Sequence, residues 1–279
     1  MEITINGNPA DIIPEKERTL GELLSGIETW LSGSGHSVSG LQVDGATIGA
    51  DCLADAFRWE LEKIKTIAIN TAGRCELLAE ALFAAKEILK TYGAASFAEQ
   101  GRLREYWEES PAGLFLSEEG PDLYEGMVKT LRGEGLPPQK LEGLVDERLR
   151  ELESPLKELV NMDGVITGIA RRLEDLPLDI QTGKDLQAAE TVSLFSGITE
   201  KLFRLFFLLN QQGIVTEEIT VEDLSIQAFI AEFTAALKEL LAAYEAKDAV
   251  LVGDLAEYEL APRLLKLYSA MRSPAEKPV

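Results

Sequence analysis

The spacing of apolar residues changes once along this chain, near Gly73, and that change constrains its architecture more than any single motif. Before Gly73 the pattern is that of short strands. In MEITING, Ile3 and Ile5 alternate with Glu2 and Thr4 and end on Asn6-Gly7, a strong hairpin signal. A second short run, PADIIP, follows the turn. Thr19 then stands three residues before Glu22, the spacing of a capping box, ahead of Leu20, Leu23, Leu24, Ile27, Trp30 and Leu31. Those positions predict a helix near 19–31 with Trp30 on its inner face. SGSGHSVSG reads as a loop, LQVDG as a strand closed by an Asp-Gly turn with ATI beyond it, and KIKTIAIN as a last strand. Trp59 is expected to cover one end of the sheet.

Strand, hairpin, strand, helix, strand, strand is the order of a β-grasp, the ubiquitin-like arrangement. The quoted segments MEITINGNPADI, RTLGELL, VSGLQVDGATI and IKTIAINTAG resemble the layout of the small sulfur-carrier proteins of the ThiS and MoaD type. The resemblance covers about a quarter of the chain and implies the fold. Carriers of that family work through a free C-terminal Gly-Gly carboxylate. The matching positions here are Thr71, Ala72 and Gly73, and the chain continues beyond them, so the carrier activity is not expected to follow.

After Gly73 the spacing is helical almost throughout. Leu78, Ala81, Leu82, Ala85, Ile88 and Leu89 form one stripe, with Gly93 as C-cap. A helix near 97–107 follows, then Gly/Pro punctuation over 110–121 and 133–138 around a helix near 123–131. Residues 139–174 read as two helices or one kinked at Ser154-Pro155. LPLDIQTGKD reads as a connection, helices follow near 185–211 and 221–246, and Asp248 caps a last one near 249–271, bent at Pro262.

Charge narrows the partners. With 48 acidic against 27 basic residues the net charge is -21, and no Lys/Arg cluster is present for phosphate backbones or anionic membranes. A spanning helix needs roughly 20 apolar residues. LFRLFFLL, Leu202–Leu209, is far shorter and contains Arg204, so no membrane insertion is expected. Cys52 and Cys75 stand far apart, and with no signal-peptide pattern they read as reduced thiols of a cytoplasmic protein.

Chemistry is sparse. The single His36 lies in the Ser/Gly-rich stretch and cannot supply the histidine pairs of zinc-protease or di-metal motifs. Thr182-Gly183-Lys184 lacks the rest of a phosphate loop and reads as a helix cap. Asp254, Glu257 and Tyr258 share a helix face at three- and four-residue spacing, which suits an acid-base or cation site, or a solvated face paired with Arg263. Tyr106 and Trp107 sit among charges as an aromatic interface pair. In the Leu202–Leu209 helix, Phe195, Ile198, Leu202, Leu205, Phe206 and Leu209 form a core stripe. Phe203 and Phe207 project about 100° to 140° from its centre, with Arg204 on the solvent side opposite, spaced to pair with Glu200.

The expectation is an α+β chain: a β-grasp-like domain over 1–71, an all-α helical bundle over 72–272 with a sub-boundary near 133–138, and a flexible tail over 273–279. It reads as a non-enzymatic, cytoplasmic protein-binding or scaffold module with no cofactor and no metal. Its partner is a basic protein or a second copy of itself, with no role for nucleic acid. Phe203, Phe207, Tyr106, Trp107 and a sheet edge are the contact candidates. The alternative is an enzyme or divalent-cation-binding protein that uses Asp254, Glu257 and Tyr258.

Overall fold

A computed structural model describes residues 1–216 and 218–273, the side chains of residues 50 and 51 apart. Residues 274–279, most of the expected tail, lie outside the described residues. The chain divides into two compact units, Met1–Leu149 and Arg150–Val279. The first carries a mixed sheet and helices and the second is almost wholly helical, an α+β architecture.

The sheet is built from β1 (Glu2–Ile5), β2 (Asn8–Pro9), β3 (His36–Val43), β4 (Ala46–Thr47) and β5 (Thr66–Gly73), in the β-grasp-like order β2-β1-β5-β3-β4. β1 and β5 are parallel, with Ile3 opposite Ile67, and the other pairs are antiparallel. Both tight turns take the positive φ that a two-residue hairpin requires, at Asn6 and Gly7 and at Asp44 and Gly45. Side chains then fasten them to β5: Asn6 Oδ1 accepts from Thr71 N–H at 2.8 Å, and Asp44 Oδ1 accepts from Lys65 and Thr66 N–H at 2.8 Å each. Helix α1 (Leu20–Ser32) starts with the predicted capping box at Thr19 and Glu22. It buries Leu20, Leu23, Leu24, Ile27 and Leu31 against Ile3, Leu41, Val43, Ile67 and Ile69. A short α2 (Ala50–Ala56) and a 3-10 turn (Leu61–Lys63) lead back to β5.

Two expectations fail in this region. The serine-rich stretch is not a loop from Ser32 to Gly40; β3 begins at His36 and pairs with β5 as far as Gly73, through a register shift between Val38 and Gly40. The reason is that a partner strand satisfies the backbone whatever the side chains, and the serines occupy its exposed positions. Trp30 is not core. It sits about 75° from the centre of the buried stripe of α1 and is 66% exposed.

β5 runs directly into α3 (Arg74–Ala94), with Gly73 as the N-cap residue, its N–H donated to the Glu76 carboxylate at 2.8 Å. α4 (Phe97–Glu109), α5 (Pro111–Glu119), α6 (Pro121–Leu131) and α7 (Pro138–Glu153) follow. The stretch 110–121, read as punctuation, instead holds the whole of α5 and the first residue of α6. Ser110 accepts from Gly113 N–H and Pro111 occupies the first turn, where a missing N–H costs nothing.

In the second unit, α8 (Pro155–Asn161), α9 (Asp163–Gln181), α10 (Asp185–Gln211), α11 (Ile226–Glu245), α12 (Ala249–Asp254) and α13 (Ala261–Arg272) surround one apolar core, with a small hairpin of β6 (Thr220–Val221) and β7 (Leu224–Ser225) before α11. α9 continues through Pro177 where a connection was expected. Gly253 of α12 sits against that ring, so close that an added Cβ would meet Pro177 Cβ and Cγ at 3.1 Å. The expected bend at Pro262 takes the form of a π-helical turn, Leu255–Leu260, in which Ala261 N–H bonds back five residues to Ala256 O. Proline lacks the N–H that would continue the ordinary ladder, and the widened turn precedes it.

Candidate functional site

An open apolar groove lies in the first unit between α1 and the segment after β2. The segment is anchored at both ends. Ala10 N–H extends the sheet ladder by bonding Ile3 O, and Glu17 Oε2 accepts from Glu15 and Lys16 N–H at 2.9 and 3.1 Å. Backbone N–H donation, foremost from Glu17 itself and then from Lys16 and Glu15, holds the Glu17 carboxyl below the usual carboxylate range. Ile12 turns toward the sheet core while Ile13 points away, 77% exposed. The facing position on α1 is Gly26, which has no side chain to fill the gap, and a Cβ built there meets nothing within 4 Å. One turn further on stands the exposed Trp30. The resulting groove has a volume of about 570 Å³ and is lined chiefly by Ile12, Ile13, Pro14, Leu23, Ile27 and Trp30, with Asp11 and Glu17 at its rim. A shallower polar groove of about 530 Å³ continues it along α1 past Lys16, Gly21, Glu22 and Ser25, and Glu17 lines both. The Glu22 carboxylate is fixed there by Arg18 and Thr19 N–H at 2.7 and 3.2 Å. Ile13 and Gly26 escaped the reading of the sequence. The available signal was a glycine inside a strong helix one turn before a tryptophan.

The predicted contact residues separate. Tyr106 faces solvent, but Trp107 is fully buried with its ring centroid 6.3 Å from that of Tyr124, so the two do not form an exposed pair. Successive residues of a helix point about 100° apart, and here that angle divides core from surface. Phe203 is partly buried and stands edge-on to Phe233, centroids 5.8 Å apart, whereas Phe207 is 42% exposed.

Arg204 is not on the solvent side and is not set against Glu200. It reaches Glu151, which is 1% exposed, through Nε and Nη2 at 2.9 and 3.1 Å. Lys201 joins the cluster, 3.8 Å from Glu151 and 3.0 Å from Glu158. A buried carboxylate requires such pairing, and the fork of an arginine supplies it bidentately.

The acidic trio lies on the π turn and at its edge. Asp254 and Tyr258 are exposed and Glu257 is partly so. Tyr258 has its hydroxyl held above its usual range by a hydrogen bond to, and the charge of, Glu257. Arg263 pairs with Glu259 and Glu232, at 2.8 and 3.1 Å, and not with the trio. Among the described residues no group of three or more His, Cys, Asp or Glu is placed to hold a metal ion. No helix among them is long and apolar enough to cross a membrane. His36 Nδ1 lies 3.0 Å from Ser34 O at the start of β3.

Residues 1–72 match the family model described as the TP0873 N-terminal domain, and residues 146–270 match one described as a domain of unknown function, DUF8042. The chain is 24% identical over 264 residues to an uncharacterized protein of Treponema pallidum (strain Nichols), covering 94% of this chain and 92% of that protein. No solved structure matches it.

Proposed function

We propose that the protein is a non-enzymatic protein-binding module that holds a segment of its partner in the groove beside α1. One observation carries this reading: an open apolar groove of about 570 Å³ whose walls include an exposed tryptophan and an exposed isoleucine. Aromatic anchors in preformed grooves are the usual energetic centres of protein interfaces. Two further surfaces support a scaffold role. β4 pairs only with Gln42 and Val43 of β3, so the stretch from His36 to Gly40 has no strand on its outer side among the described residues. An edge of that kind can accept an added strand. In the second unit, Phe207 adds exposed apolar area.

The test is quantitative affinity capture from the native host with the wild-type chain and Gly26→Leu, which fills the groove without meeting any neighbour at its Cβ. The expected result is a set of proteins retained by the wild type and lost with the variant, at equal thermal stability. Identical retention by both would remove the groove from the reading.

A further inference from the structure

Resting on that reading, we infer that the groove takes a basic amphipathic segment: one bulky apolar side chain seated over Gly26, and a Lys or Arg close by over the polar continuation of the groove. The apolar half has no side chain at its floor and hydrophobic walls on both sides, the environment that favours a single large aliphatic or aromatic group. The polar half is asymmetric in charge. Glu17 and Glu22 line it, Asp11 lines the adjoining apolar half, and among the described residues Lys16 is the one cation lining either.

Two of these carboxylates are fixed in place. Glu17 and Glu22 each receive two backbone N–H groups, so neither has to be ordered when a cation arrives. Backbone hydrogen bonding also holds the Glu17 carboxyl below its ordinary range, which favours its charged form. A chain carrying a net charge of -21 attracts basic segments at long range and repels acidic ones, adding selectivity before contact.

Geometry sets the spacing in the occupant. Gly26 and Glu22 are four residues apart on α1, which is about 6 Å along the axis. An extended ligand covers that length in about two residues. A helical ligand covers it in one turn. The recognised feature is therefore an apolar residue with Lys or Arg at the second position along, or at the fourth if the ligand is helical.

The experiment is selection of a library of short random peptides on the immobilised full-length chain, with Gly26→Leu and Asp11→Lys as parallel baits. The expected outcome is enrichment of peptides with that apolar-basic spacing. Their affinity should vanish on Gly26→Leu, fall about tenfold on Asp11→Lys, and weaken with added salt. Peptides that depend on Gly26 but carry no basic residues would overturn this inference and leave the groove reading intact. Failure to enrich any peptide over the Gly26→Leu bait would overturn both, since the groove would then hold nothing that its own filling abolishes.

Discussion

Replacing Glu151 tests the account of the second unit most sharply. Its carboxylate is almost wholly buried and accepts two charge-assisted hydrogen bonds from Arg204, at 2.9 and 3.1 Å. Glu151→Gln keeps the shape and removes the charge. It leaves the Arg204 guanidinium facing an amide, while Lys201 keeps Glu158 at 3.0 Å. Breaking one side of a buried pair costs roughly 3–5 kcal/mol. The Arg204 side chain is 29% exposed, so water offsets part of that loss. The expected loss is about 2–3 kcal/mol. Arg204→Met should cost a similar amount, because it removes both close hydrogen bonds and leaves the buried carboxylate to Lys201, 3.8 Å away. The double variant Glu151→Met with Arg204→Met should recover most of the loss, since two apolar side chains of similar volume need no partner. All three tryptophans belong to Met1–Leu149, so their fluorescence does not report on this unit. Amide hydrogen exchange along α10 with denaturant-dependent circular dichroism is the suitable assay. A loss below about 1 kcal/mol for Glu151→Gln, or a double variant no better than either single one, would show that the cluster is not what fixes α10 within the second unit.

Two further outcomes follow from the same structure. Phe203→Ser should cost about 3 kcal/mol by removing the edge-on contact with Phe233, while Phe207→Ser should cost less than about 1 kcal/mol; equal losses by thermal denaturation would contradict the division between core and surface. Asp44 accepts two backbone N–H bonds, from Thr66 at the start of β5 and from Lys65 just before it, which hold its carboxyl below the ordinary aspartate range. A folded pKa below the unfolded one means that the contribution is present above the unfolded value and is lost as pH falls through the folded one. Carbon NMR titration should therefore place Asp44 below a model aspartate, and Asp44→Ala should weaken the acid dependence of sheet stability. A normal or raised midpoint would refute the link.

Much of the backbone could be read from local chemistry. Asn6-Gly7 and Asp44-Gly45 are pairs that accept positive φ, Thr19 and Glu22 cap each other, and Ser154-Pro155 starts a helix. Each of these signals acts within four residues. What escaped depends on contacts that local spacing does not encode. The serines of β3 became strand because β5 satisfies their backbone, and α9 runs through Pro177 because its ring packs on Gly253. Arg204 found its acid 53 positions away and not at Glu200. The groove was hidden for a related reason. It is defined by a missing side chain at Gly26, and a hydrophobicity pattern registers residues that are present, not the space left between them.

Gly73 is where the sheet hands the chain to a helix without an intervening residue: it closes β5 against His36 and begins α3 through its bond to Glu76. A strand end fused to a helix start has no slack. Tension applied along α3 would load the central strand directly, in shear against both β1 and β3. Inserting a flexible linker after Gly73 would therefore change how the sheet responds to pulling even where its equilibrium stability stays the same.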